Sequence, residues 1–148
     1  MKLAAVDSED LEILSSRLQD AAGRLGDFAW LPKQHRFACV LNRYRWEEGK
    51  SGKGSRVRAG LHFDGVLGVK SHNVKQGAPD AVIALLAIKF NSNGITEGST
   101  EIDPGGVIEL QLAGGGTIRL TVECISAELA DLTSPWAAIA RPEHEGGK

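Results

Sequence analysis

Cysteine, methionine, proline and aromatic residues are all sparse in this chain. Its 148 residues include 2 cysteines, 1 methionine and 5 prolines, and only 5% are aromatic. Two cysteines are too few for a disulfide scaffold, and they form no closely spaced pair of the kind that zinc sites use. Cys39 and Cys124 both lie in apolar-patterned segments. They therefore read as buried free thiols in a reducing cytosol, with a Cys39–Cys124 disulfide as the alternative. Long hydrophobic runs are missing too: the longest, AVIALLAI from Ala81 to Ile88, falls far short of the ~20 residues that cross a bilayer. Acids at Asp7, Glu9, Asp10 and Glu12 break the N-terminal apolar run, which excludes a secretion signal there. A strong charge of either sign is absent as well. The formal net charge of −2 argues against a surface built wholly to coat nucleic acid, but leaves room for a local basic patch.

What is present is the ordinary material of one globular domain: 42% apolar residues, 24% charged residues and 18 glycines, which point to many tight turns. The expected domain spans residues 1–140, followed by a polar tail at 141–148. From Asp7 to Ala22, Leu11, Leu14, Leu18 and Ala21 recur at helical spacing. Asp7 or Ser8 suits the cap, acids suit the first turn, and Gly23 and Gly26 suit the end. After Gly26 the period becomes that of strands. Asp27–Leu31 and Arg36–Trp46 flank a hairpin connection at Pro32–His35. Val57–Val69 reads as one long strand bent at Asp64-Gly65, and Ala81–Phe90 as a buried strand. Val107–Leu112 and Thr117–Leu129 flank three glycines as a second hairpin. The apolar phase slips in both hairpins, after Leu41 and after Cys124, as β-bulges would make it do. The fold class is α+β, mainly β: an N-terminal helix with a curled antiparallel sheet or partly open barrel of about six strands.

The stretch WEEGKSGKGSRVR, from Trp46 to Arg58, invites comparison with a phosphate-binding loop. A GxxxxGK[ST] loop would need glycine at position 44, where the chain has Tyr44, and no helix pattern follows. The motif is rejected, but a charge asymmetry remains. Arg43, Arg45, Lys50, Lys53, Arg56 and Arg58 against Glu47 and Glu48 give residues 43–58 a net charge of +4, so the rest of the chain carries −6. Such a segment can hold phosphate or an RNA backbone, with Tyr44 and Trp46 available for stacking. A solvated connector is the plainer reading and the preferred one.

His62 and Asp64, two apart on a strand, share a face, and with His72 they form the one candidate metal or general-base group. A third ligand is not evident, and a hydrogen-bonded structural imidazole is the plainer reading. Neither cysteine lies in a setting that lowers a thiol pKa. Glu123 and Glu109 are a carboxylate pair without further support, and Trp136 reads as an anchor for the chain end.

The segments Leu31-Pro32, Arg36-Phe37, Leu41-Asn42-Arg43, Leu61-His62-Phe63-Asp64, Leu85-Leu86-Ala87-Ile88 and GGGTIRLTVECISAELADL, from Gly114 to Leu132, resemble a family of small alphaproteobacterial proteins of unknown function, DUF2948. The resemblance spans nearly the whole chain and is most specific in the C-terminal hairpin. It implies a bacterial, cytosolic, single-domain protein and brings no reaction, cofactor or catalytic residue with it. The expectation is a cytoplasmic binding or interaction protein without enzymatic activity or cofactor, with homo-oligomer formation as one form of interaction. An anion- or RNA-binding module at residues 43–58 is the alternative, and a small hydrolase or metal enzyme around His62, Asp64 and His72 is the third reading.

Overall fold

In the computed structural model, which describes residues 1–46, 54–75, 77–132 and 136–137, the first amphipathic segment forms helix α1 (Ser8–Arg17). Asp7 caps it, its carboxylate accepting the Asp10 N–H at 2.8 Å, while the Asp10 carboxylate accepts the Val6 N–H at 3.1 Å. This reciprocal exchange satisfies donors that a helix start leaves unpaired. Leu11, Leu14 and, just past the helix end, Leu18 are buried. The helix stops before the expected glycines: Asp20 takes the left-handed conformation at φ 67°, and its N–H is held by the Leu85 carbonyl at 2.9 Å.

The described residues also form eleven strands: β1 (Lys2–Ala5), β2 (Ala22–Arg24), β3 (Phe28–Leu31), β4 (Arg36–Trp46), β5 (Gly54–Asp64), β6 (Val66–His72), β7 (Val82–Ser92), β8 (Gly106–Leu112), β9 (Thr117–Val122), β10 (Ala127–Asp131) and β11 (Trp136–Ala137). About six strands were expected, which understates the sheet. Three of the additional strands are only two to four residues long, too short for a period to show. Two more arise because the long strands expected at 57–69 and 117–129 are each divided. The main path runs β1-β10-β5-β4-β2-β7-β8-β9-β6, with β11 beside β5 and β3 beside β4. Each described pairing is antiparallel. The path ends at β1 and β6, which are not paired to each other, so the sheet does not close into a barrel.

Two bends carry the chain between the halves of this sheet. Gly65, at φ +69°, turns β5 into β6, and residues 123–126 turn β9 towards β10. The bends are tied together: the Asp64 N–H donates to the Ser126 carbonyl at 2.8 Å and the Glu123 N–H to the Gly65 carbonyl at 3.0 Å. The phase slip after Cys124 is therefore a change of partner strand rather than a bulge, and Cys124 sits exposed at that corner instead of in the core. The slip after Leu41 has another cause. The β4–β5 ladder is continuous from Arg36–Asp64 to Trp46–Gly54, and Arg43 takes the inward position that an apolar residue would have taken.

A true irregularity occurs in β7, where the register with β8 shifts between Leu85 and Ala87. The shift lets both Leu85 and Ile88 face the core and turns Leu86 outward. Only these two residues of β7 are buried, so the apolar run is not the fully buried strand its composition suggested. One core joins the inner faces of both halves with the leucines of α1. Ser15 on the helix accepts the Ile88 N–H at 2.9 Å, where the β7–β8 register has just shifted. The described residues include no helix long and apolar enough to cross a membrane. The tail at 141–148 lies outside the described residues.

Candidate functional site

The odd-numbered residues Val57, Ala59, Leu61 and Phe63 of β5 face the core. Arg56 and Arg58 therefore face outward by the two-residue period of a strand. Across the ladder they meet Tyr44 and Asn42 of β4. The Arg56 guanidinium carbon stands 4.9 Å from the centroid of the Tyr44 ring, and Nη2 donates to the Tyr44 hydroxyl at 3.4 Å. The ring thus holds the cation by its negative face. β2 approaches the same face from the other side. The approach requires Gly23, because a Cβ there would stand 2.6 Å from the Val40 carbonyl oxygen.

This approach brings in Arg24, and Arg24, Asp27, Asn42, Arg56, Arg58 and Val82 line a cleft of about 240 Å³. Three guanidinium groups and one carboxylate give its lining a formal charge of +2. Arg24 reaches Asp80 only at 3.8 Å, with both side chains well exposed, a pairing worth little in water. Two buried polar atoms on the lining residues, Asn42 Oδ1 and Arg56 Nε, have no hydrogen-bond partner among the described residues. One is an acceptor and the other a donor, and leaving either unpaired costs about 1–3 kcal/mol.

The basic segment does not act as one unit. Arg56 and Arg58 enter the cleft, whereas Arg43 turns inward and is buried at 4% exposure. There it makes a two-point pair with Asp131, Nε to Oδ1 at 3.1 Å and Nη2 to Oδ2 at 2.9 Å. The terminal ammonium of Met1 adds a third contact to Asp131 at 3.1 Å. Burial by itself would raise the Asp131 pKa; the hydrogen bonds from Arg43 and the terminal ammonium outweigh it and hold the carboxyl below its usual range. The Arg45 and Trp46 side chains, with Lys50 and Lys53 entirely, lie outside the described residues.

His62 and Asp64 do share a face, with Nδ1 3.2 Å from Asp64 Oδ2. The other ring nitrogen, Nε2, is 3.2 Å from Glu128 Oε1, and the two carboxylates continue to Arg36 at 2.7 Å and to Lys2 at 3.2 Å. The result is a row of alternating basic and acidic side chains across β1, β10, β5 and β4. Hydrogen bonds from Lys2 and then His62 lower the Glu128 pKa. His72 does not join this row. It lies past the Gly65 bend at the end of β6, opposite Thr117. Among the described residues no group of three or more His, Cys, Asp or Glu side chains is placed to hold a metal ion.

Glu109 faces Arg119 at 3.3 Å rather than Glu123, and β9 ends before Glu123, so the carboxylate pair is not formed. Both cysteines are free thiols. Burial pushes the Cys39 thiol up to about 12, the reverse of what a nucleophile requires. The Trp136 side chain lies outside the described residues. A wider groove of about 590 Å³ separates α1 from β7, but its charges are mixed, with Glu12 and Glu109 against Lys89. None of the buried unpaired side-chain atoms found among the described residues belongs to it.

Of the cleft residues, Arg56 and Arg58 were legible from sequence. Arg24, Asp27 and Asn42 were not, because a three-residue strand with no period of its own positions the first of them.

Comparison with known proteins adds a family but no activity. The chain belongs to the family described as Protein of unknown function (DUF2948), whose pattern it matches over residues 1–144. No curated protein matches it. No solved structure matches it either.

Proposed function

From a chain whose family carries no assigned activity, we propose a non-enzymatic binding protein that takes a small anionic ligand in the cleft of Arg24, Arg56 and Arg58. The observation that carries this reading is the concentration of charge: three arginines and one carboxylate line the cleft, a formal charge of +2. A guanidinium presents its donors in a planar fork that matches phosphate and carboxylate oxygens. Tyr44 fixes the position of one of the three forks, which lowers the entropy lost when an anion binds. The cleft's place at the junction of the two halves fits the curled, partly open sheet expected from sequence.

The test is thermal unfolding in inorganic phosphate at low ionic strength, set against matched sodium chloride. A ligand at 100 times its dissociation constant stabilises the folded state by about 2.7 kcal/mol. Phosphate should raise Tm in the wild type and fail to do so in the Arg56→Ala/Arg58→Ala double variant. An equal shift in chloride, or an undiminished phosphate shift in the double variant, rejects the reading.

A further inference from the structure

Between β7 and β8, residues 93–105 form a short finger. Backbone hydrogen bonds hold its two arms together: the Asn93 N–H donates to the Gly105 carbonyl at 3.0 Å, Asp103 to Gly94 at 2.8 Å and Thr96 to Glu101 at 2.9 Å. At the base the Asp103 carboxylate accepts the Gly105 N–H at 2.8 Å and Asn93 Nδ2 at 3.2 Å. The finger is thus ordered before any partner arrives, which lowers the entropy lost on binding. Ile95 and Ile102 are bridge partners, so their side chains stand about 4.5–5.5 Å apart on one face. They are 66% and 71% exposed and take no part in the core. An exposed apolar pair with a polar surround marks an interaction surface. Here the surround is acidic: residues 93–105 contain Glu97, Glu101 and Asp103 with no Lys, Arg or His, a formal charge of −3.

We infer that this finger enters the cleft of a second copy of the chain, its isoleucines against Val82 and its carboxylates towards Arg24 and Arg56. This rests on the anion-binding reading above, with a carboxylate as the anion. Arg24 and Val82 are ladder partners. The cleft therefore sets an apolar side chain, 73% exposed, beside a cation, as the finger sets isoleucines beside acids. Arg24 reaches Asp80 only at 3.8 Å with both side chains exposed, a contact that an incoming carboxylate displaces at little cost. Arg58 has an interaction of its own, and Arg24 and Arg56 against Asp27 keep the lining basic without it. The volume of about 240 Å³ equals about eight waters at roughly 30 Å³ each, room for one or two side chains. A chain's own finger is too far away: the 11 residues of β7 lie between Val82 and the finger, about 30 Å of strand. Two fingers do not suit each other, because their like charges repel.

Sedimentation velocity at low ionic strength tests this. A contact of this size belongs to the weak class, so the protein is run at about 20–500 µM. The wild type should associate. Ile95→Ser/Ile102→Ser and, separately, Arg24→Glu should each weaken association by about 10-fold or more. Mixed together, the two variants should form a dimer of one copy of each, because the first keeps its cleft and the second its finger; a restored complex also shows that both are folded. The isoleucine variant should keep the wild-type rise of Tm in phosphate. A wild type that stays monomeric overturns the inference; a Tm rise in phosphate then leaves the anion reading standing, and its absence overturns both. Association that survives either set of substitutions, or variants that fail to combine, also overturns the inference.

Discussion

Arg43 and Asp131, 88 residues apart in sequence, meet through two hydrogen bonds of 3.1 and 2.9 Å at the inner edge of the β4–β5–β10 surface. The pair ties β4 to β10 beside Met1, whose terminal ammonium bonds the same carboxylate. It also divides the basic segment into an inward part, at Arg43, and an outward part, at Arg56 and Arg58.

Removing one partner strands the other. Arg43→Ala should destabilise the protein by about 3 kcal/mol, the usual cost of an uncompensated buried charge. Denaturant unfolding at pH 7 checks this. Phosphate affinity, measured at a temperature where the variant remains folded, should stay close to that of the wild type.

The same carboxylate sets an acid limit. Its folded pKa is depressed, so its contribution to stability is present above the unfolded value, about 3.9, and is lost as pH falls through the folded value. Stability measured from pH 6 down to pH 2 should fall less steeply in Asp131→Asn than in the wild type, from a lower starting point. Parallel curves would show that Asp131 is not part of the acid transition.

Tyr44 holds Arg56 in place from the face of its ring. Tyr44→Ala should weaken phosphate binding about 2- to 5-fold, in line with the ~0.5–1 kcal/mol of an exposed cation–π contact, while Tyr44→Phe keeps most of the affinity. Calorimetry on both variants distinguishes ring from hydroxyl.

The two thiols should differ in reactivity under native conditions. Cys124 is exposed, whereas Cys39 is buried with its pKa pushed up to about 12. An aromatic disulfide reagent at pH 8 should modify Cys124 promptly and reach Cys39 only as the protein unfolds. Rapid labelling of both would contradict the burial of β4.

Gly65 turns β5 into β6 at φ +69°, and a Cβ there would meet nothing nearer than Glu123 Cβ at 3.9 Å. Gly65→Ala should thus cost about 1 kcal/mol through backbone conformation alone, read as a lower denaturation midpoint with an unchanged slope.

The sequence alone determined the elements with enough residues to show a period: helix α1, the β4 strand with its bounds, and the 106–122 hairpin. It also determined that Cys39 is buried, because strand alternation is a local property, whereas Arg56 and Arg58, read as part of a solvated connector, belong to strand β5. Tertiary structure decided the rest. Arg43 looked like its neighbours Arg45 and Arg56, and only Asp131, brought in by β10, could draw it into the interior. Cys124 kept the alternation of a buried residue, yet the chain leaves one half of the sheet for the other beside it. β2 joins β4 to β7 with three residues and carries Arg24 to the cleft. Its place depends on hydrogen bonds to strands about 20 and 60 positions away, a distance over which no local pattern in the chain can report.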